Sequence, residues 1–214
     1  FSVDSRTEDS TQAVAYFDFD GTLTRRDSLL PFLHFAAGPL GLAWCALRAS
    51  PSLLAYGAGR LANDKAKARL LSVFFAGREA PAFSSLAERF ARTKLPRLVR
   101  PEGMARLAWH QAQGHRCVLV SASLEAYLVP WAEAVGFETV LATRLELRMG
   151  RLSGDFLGPN CYGAEKVARI RAWEAGRDIG QRFAYGDSAG DVEMLRYVHH
   201  GFRWSKTQRA FQAL

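Results

Sequence analysis

Residues 13–22 read AVAYFDFDGT, and this stretch decides the fold. Five apolar residues, several of them strand formers, run into Asp18 without polar alternation. That is the pattern of a strand buried on both faces. Asp18 and Asp20 follow directly, two carboxylates two positions apart. Such a pair is costly to hold beside a buried strand unless something neutralises it, and a divalent cation would do so. Gly21 lets the chain turn sharply and exposes backbone N–H groups to an anion. Asp-Gly-Thr is also ordinary turn chemistry, so the segment alone leaves both readings open.

The same arrangement, an apolar run ending in polar residues, returns downstream. Cys117–Val120 leads into Ser121-Ala-Ser123, Thr139–Ala142 is a third short strand, and Arg182–Tyr185 leads into Gly186-Asp187. Helices are expected between them at Glu102–Gln113, Leu124–Val135, Ala164–Ala175 and Asp191–Tyr197, the first three stopped by glycines. Leu145–Leu147 and Arg151–Ser153, joined at Met149-Gly150, read as a hairpin, and Gly201–Trp204 as a last edge strand. The expected fold class is α/β, a Rossmann-like parallel sheet covered on both faces. Ligands bind such sheets beyond the carboxyl ends of the strands, where Asp18, Asp20, Ser121 and Asp187 would converge.

Residues 28–100 interrupt the alternation and read as helix almost throughout. They are expected to form a helical cap domain inserted into a core domain made of 11–27 and 101–214, with 1–10 a flexible N-terminal segment. That segment is polar and acidic, with no apolar signal core. Between Asp27 and Arg48 no residue is Asp, Glu, Lys or Arg, a length approaching a bilayer span. Pro31, Gly38, Pro39 and Gly41 break it, so buried cap helices, or a helix lying on a membrane surface, are expected instead. The apolar set Leu29, Leu30, Phe32, Leu33, Phe35, Trp44, Leu53, Leu54 and Tyr56 reads as the core of the cap or as an apolar entrance for a substrate with a lipid or aromatic part. Arg89, Arg92, Lys94, Arg97 and Arg100 read as a solvated helix face.

Composition narrows the classes further. Of 214 residues, 49% are apolar and 23% charged, which excludes a disordered chain. Cys45, Cys117 and Cys161 lie far apart with no CxxC pair, so free thiols in a reducing compartment are expected, not a disulfide scaffold. The net charge of +7 favours anionic partners, whether phosphorylated metabolites, nucleic acid or anionic lipid. No nucleic-acid motif with interleaved aromatics is visible.

Three further elements carry chemistry. Gly186-Asp-Ser-Ala-Gly-Asp191 sets two carboxylates four residues apart after a strand, enough to complete a hard-metal site, although Asp191 alone suits a helix N-cap. The Ser121 hydroxyl and the Ala122 N–H suit a phosphate oxygen. Lys166, an ordinary surface lysine by itself, becomes a candidate phosphate ligand beside the other three clusters.

In order and spacing, AYFDFDGTLT, VLVSAS, Lys166 in GAEKVARI and YGDSAGD together resemble the motifs of the haloacid dehalogenase-like (HAD) hydrolase superfamily. The long insertion after the first motif is similar to that of its subfamily IB, the phosphoserine-phosphatase-like branch. The resemblance implies that Asp18 is a nucleophile forming an aspartyl phosphate and Asp20 a general acid and base. It implies a Mg2+ ion held by Asp18, the Asp20 main-chain carbonyl and Asp187, with Asp191 binding through water or orienting Lys166. Ser121, Ala122, Lys166, Gly21 and Thr22 would hold the phosphoryl group, and Asp27 and Ser188 would bear on specificity.

The match departs from phosphoserine phosphatases where specificity is set. Asp27 stands where that family places Glu, Leu70–Gly77 is apolar where a cap Arg is usual, and Gly190 replaces an Asn. Gly163-Ala-Glu-Lys-Val167 instead resembles phosphatidylglycerophosphate phosphatases of the same branch. The implied activity is Mg2+-dependent hydrolysis of a small organic phosphate or a phospholipid headgroup phosphate. Phosphoserine, phosphatidylglycerophosphate and histidinol phosphate are the candidate substrates. A cytoplasmic enzyme is expected, with peripheral contact to an anionic membrane and no nucleic-acid partner. The rival class is a silent binding module, against which every expected catalytic group is intact.

Overall fold

The computed structural model describes residues 12–57 and 63–214; the segment 1–10, expected to be flexible, lies outside them. In chain order the first elements are β1 (Gln12–Phe17), α1 (Leu29–Gly57), α2 (Asn63–Phe75), α3 (Ala80–Thr93) and α4 (Pro101–Ala112). β2 (Arg116–Leu124), α5 (Glu125–Ala134), β3 (Thr139–Thr143), β4 (Leu145–Arg148) and β5 (Arg151–Phe156) follow. The chain closes with α6 (Ala164–Glu174), β6 (Ile179–Gly186), α7 (Val192–Tyr197), β7 (His200–Ser205) and β8 (Ala210–Ala213).

The main sheet runs β3-β2-β1-β6-β7-β8. β1 lies in its interior, parallel to β2 and β6 on either side. Val14, Ala15, Tyr16 and Phe17 are all fully buried, because helices cover both faces and alternate residues serve opposite cores. Val14 and Tyr16 pack with Val118, Val120, Ile170 and Met194. Ala15 and Phe17 pack with Leu119, Leu107 and Leu128. This is why the strand reads as a continuous apolar run. Tyr16 keeps a polar tip in this core by donating to Glu174 Oε1 at 2.6 Å.

Two boundaries differ from the sequence reading. Gly201–Trp204 is not the edge: β7 is covered by β8, which pairs antiparallel with it. β8 has four residues, mostly exposed, too short and too polar in setting to show a strand period. Ser121–Ser123 also stays extended, as part of β2, with an irregularity against β3 before Leu124.

The insertion leaves the core after Thr24 and rejoins it at Val99, and these two residues face each other in an isolated antiparallel bridge. Arg25 N–H donates to the Leu98 carbonyl at 2.9 Å, and Arg100 N–H to the Leu23 carbonyl at 2.7 Å. α1 is broken at Gly38, whose φ of +68° precedes Pro39. Before the break Leu29, Phe32 and Leu33 are buried. The Phe32 ring lies 5.4 Å from Phe75, 5.1 Å from Phe90 and 4.9 Å from Tyr127 of α5, so one aromatic cluster joins cap and core. After the break Leu40, Trp44, Leu47 and Leu54 are exposed. The apolar set of the insertion therefore divides: Leu29, Phe32 and Leu33 are core, whereas Leu30, Trp44 and Leu54 face outward. Leu29–Pro51 is long and apolar enough to cross a bilayer, with an 18-residue window of mean hydropathy 1.5, but its first part is committed to the cap core and the chain breaks at Gly38.

The β4–β5 hairpin docks on the α2–α3 connection through Gly77 N–H to the Leu152 carbonyl (2.8 Å) and Leu152 N–H to the Arg78 carbonyl (2.9 Å). Gly154 permits the close approach, since a Cβ there would stand 2.4 Å from Ser72 Oγ.

Candidate active site

Asp18 follows the last residue of β1, and its N–H continues the ladder to the Tyr185 carbonyl at 2.9 Å. Lys166, in the first turn of α6, reaches under it. Its Nζ lies 2.6 Å from Asp18 Oδ1, 2.6 Å from Asp191 Oδ1 and 3.0 Å from the Val120 carbonyl, so all three ammonium donors are used. All three side chains are buried.

The two carboxylates are not equivalent. Asp191 accepts from Lys166, from the Asp187 and Ser188 N–H groups and from the Ser188 hydroxyl. Burial disfavours its charge, but Lys166 and these hydrogen bonds outweigh burial and hold its pKa below the usual range. Asp18 has Lys166 alone among side-chain partners. Burial first, then the charge on Asp191, holds its pKa well above the usual range despite Lys166. For Lys166, burial works against the charge, yet Asp18 and Asp191 together keep the ammonium protonated well above its ordinary pKa. Two carboxylates share one ammonium, and Asp18 bears the deficit.

Asp187 adds a third carboxylate. Oxygens of Asp18, Asp187 and Asp191 lie within 4.8 Å of one another. Burial, then Asp191, raises the Asp187 pKa, against a hydrogen bond from Thr22 Oγ1 at 3.3 Å. The donor set is all oxygen and short of positive charge, which fits a hard divalent cation such as Mg2+. Gly21 makes the approach possible: its φ is +82°, and a Cβ there would stand 2.3 Å from Asp187 Oδ2.

Asp20 lies on the other side of the turn. Its Oδ1 accepts from Ser28 N–H at 2.8 Å and its Oδ2 from the Ser123 hydroxyl. Burial foremost, then the charge of Asp27, pushes its pKa up to about 6, against the hydrogen bonds from Ser123 and Ser28. Behind it Ser28 Oγ lies 3.0 Å from the Tyr127 hydroxyl, a buried polar chain reaching into the aromatic cluster.

One cavity of about 510 Å³ gathers every candidate catalytic, phosphate-binding, metal-binding and specificity residue except Thr22. Thr22 is buried beside it with its hydroxyl on Asp187. Ser121 Oγ accepts from Ser123 N–H at 3.1 Å. Asp27 Oδ1 accepts from Leu29 N–H at 2.8 Å, in the first turn of α1. Ser188 Oγ accepts from Gly190 N–H at 3.2 Å, in a capping box with Asp191.

Sequence reasoning passed over three neighbours and misread a fourth. Ser123 was legible, because it stands two residues from Ser121 in an extended segment and so shares its face. Ser28 and Lys67 gave no signal of their own; Lys67, from α2, lines the cavity, while Arg69, immediately before the apolar Leu70–Gly77 stretch, is exposed. Arg100 corrects an expectation. It is buried, not solvated; its Nη2 donates to the Gly21 and Thr24 carbonyls at 2.9 and 3.0 Å, and its guanidinium lies 3.7 Å from the Trp204 ring centroid.

The family model described as haloacid dehalogenase-like hydrolase matches residues 15–196, the span that holds all of these clusters. The chain belongs to the haloacid dehalogenase-like hydrolases. This HAD chain is 38% identical over 180 residues to the protein CicA of Caulobacter vibrioides, covering 84% of this chain and 80% of CicA. It is 30% identical to a probable phosphatase of Mycobacterium tuberculosis over 91% of this chain and 69% of that protein. Among solved structures it is similar to a Bordetella pertussis protein of unknown function, with a TM-score of 0.77 and 27% identity over 91% of this chain and 89% of that one. A probable phosphoserine phosphatase from Vibrio cholerae shares the fold at a TM-score of 0.66 and 16% identity, over 89% of this chain and 55% of that one. The helical insertion corresponds to the cap of this hydrolase fold.

Proposed function

We propose that the enzyme hydrolyses phosphomonoesters with Mg2+ through a phosphoryl-enzyme intermediate on Asp18. The observation that carries this reading is the asymmetry around Lys166: Asp191 is saturated with donors, whereas Asp18 faces the cavity with one. An Asp18 oxygen attacks phosphorus and the ester oxygen departs. Asp20, with its pKa near 6, gives the departing oxygen a proton and then takes one from the water that cleaves the acyl phosphate. Ser121 Oγ and the Thr22 and Ala122 N–H groups hold the phosphoryl oxygens, joined by Lys166 and the Gly21 N–H as these turn from Asp18 and Thr24 Oγ1 to the substrate, and together they screen the phosphoryl charge from Asp18. Asp18, the Asp20 carbonyl and Asp187 would hold the cation, with Asp191 orienting Lys166. When bound, the cation would withdraw charge from the phosphoryl oxygens.

The substrate is a small organic phosphate or a phospholipid headgroup phosphate, with Asp27 and Ser188 at the cavity wall bearing on the choice. The outward face of α1 favours peripheral contact with an anionic bilayer: Leu40, Trp44, Leu47 and Leu54 are exposed, and the Arg48 guanidinium lies 4.6 Å from the Trp44 ring centroid. The unpaired thiols of Cys117 and Cys161 suit a cytoplasmic setting. Phosphoserine, histidinol phosphate, phosphatidylglycerophosphate and an aryl phosphate, assayed with and without Mg2+, test the activity. Turnover of any of them by Asp18→Asn at the wild-type rate overturns the nucleophile. Flotation with anionic vesicles tests the contact, and failure to float removes it.

A further inference from the structure

A smaller cavity of about 230 Å³ adjoins the first and shares Arg25, Arg100 and Lys206 with it; Glu102, Trp204 and Arg209 complete its wall. Three separate segments supply these cations. Arg25 leaves the core towards the insertion, Arg100 returns from it, and Lys206 and Arg209 sit on the β7–β8 turn. Glu102 is the lone carboxylate in the wall, 3.8 Å from Arg209 Nη2. Four cations therefore face Glu102, and the Asp187 carboxylate of the adjoining cavity offsets only part of the charge on Arg100 and Lys206.

Arg100 is the buried member. It is 6% exposed, and its Nε is buried with no hydrogen-bond partner among the described residues. Nη2 is committed to the Gly21 and Thr24 carbonyls, and the plane of the guanidinium is set by Trp204. A guanidinium fixed in this way is pre-organised for an oxyanion. The like charges of Arg25, Lys206 and Arg209 repel one another unless an anion joins them. None of the four is needed to hold the phosphoryl group at Asp18, which Lys166 and Ser121 already serve.

We propose that this cavity is a second-anion subsite. It takes a second phosphate, remote from the one removed, so that the preferred substrate carries two phosphate groups. The inference rests on the phosphomonoesterase reading above and names its substrate class. The same chemistry belongs to soluble bisphosphates and to a lipid headgroup in which a phosphodiester precedes a terminal phosphomonoester.

The test compares propyl phosphate with alkanediol bisphosphates of increasing chain length, using the wild-type protein and the Lys206→Ala/Arg209→Ala double variant. Both side chains are exposed, so the fold is not at risk. The wild-type kcat/KM should favour the best-fitting bisphosphate by about tenfold or more, through KM, and the double variant should lose most of that preference. Added salt should erode the preference in the wild type. An equal preference in both proteins overturns the subsite. A glycerol phosphodiester ending in a phosphomonoester, supplied free and as a short-chain lipid, separates the two sources: equal rates assign the subsite to soluble bisphosphates, and faster turnover of the lipid assigns it to headgroups. Calorimetric binding of the bisphosphate keeps the two readings apart. Without turnover of propyl phosphate the phosphatase reading fails, while a roughly tenfold weaker binding to the double variant still supports the subsite. Unchanged binding overturns it.

Discussion

Lys67, on cap helix α2, places its Nζ 2.6 Å from the main-chain carbonyl of Ala122 on β2. It spans the cavity between the insertion and the strand end that carries Ser121. Burial lowers its pKa, while Asp20 and Asp27 act to keep it charged. Lys67→Met should raise KM for a phosphomonoester by about tenfold with a smaller effect on kcat, as expected for a lost charge-assisted contact. Steady-state kinetics check this; an unchanged KM would show that the lysine only braces the cap.

Asp18→Asn should abolish turnover, by about a thousandfold or more, without weakening the fold. The sign follows from the raised pKa. Ionising Asp18 at neutral pH costs folded-state stability, because burial and Asp191 oppose the charge. A neutral amide of the same shape avoids that cost and leaves Lys166 paired one to one with Asp191. The denaturation midpoint at pH 7 should therefore equal or exceed that of the wild type. The difference should vanish below about pH 4, where Asp18 is protonated in both folded and unfolded states. A large loss of stability at pH 7 would contradict this account.

Asp27→Asn should move the alkaline limb of the kcat–pH profile to lower pH. Asp20 is held at about 6 by burial and then by the charge of Asp27. Removing that charge lets Asp20 ionise earlier, so its proton-donating form is lost sooner as pH rises. Asn retains an oxygen for the Leu29 N–H, so the start of α1 is preserved. A pH–rate profile read on the metal-loaded enzyme decides it, and a shift to higher pH would be the wrong sign.

His110 makes the fold acid-sensitive. It is fully buried, with Nε2 2.9 Å from the Tyr185 hydroxyl and Nδ1 2.8 Å from His115 Nδ1. Burial, then His115 and Arg106, pushes its pKa down to about 3. The folded value lies below the unfolded one, so the contribution to stability is intact above about pH 6.5 and is lost as pH falls towards 3. The loss amounts to about 1.4 kcal/mol per pH unit in that window. His110→Gln should flatten this slope in denaturant titrations at pH 7 and pH 5; an equal slope would exclude His110 as its source.

The strand-end side of the candidate site was legible because its polar residues follow apolar runs. Each of β1, β2 and β6 holds a short apolar run buried on both faces, so Asp18, Ser121 and Asp187 stand out as the first charged or hydroxyl-bearing aliphatic residues after each run. The cap side was not legible. Lys67 looks like any lysine in the polar first turns of α2, and its role arises only from how that helix lies over β2. Arg100 belongs to a run of exposed basic residues and differs from Arg97 only through the return path of the chain past Gly21 and Trp204. The exposed stripe of α1 was hidden for a related reason: composition makes Leu33 and Leu47 equivalent, and only the break at Gly38 sends them to opposite environments.

Thr24 and Val99 adjoin although some seventy residues separate them in the chain. The catalytic sheet therefore stays in register whatever lies between those two positions. A lineage can lengthen, trim or exchange that segment and so change diet, while the machinery that cleaves the ester is inherited untouched.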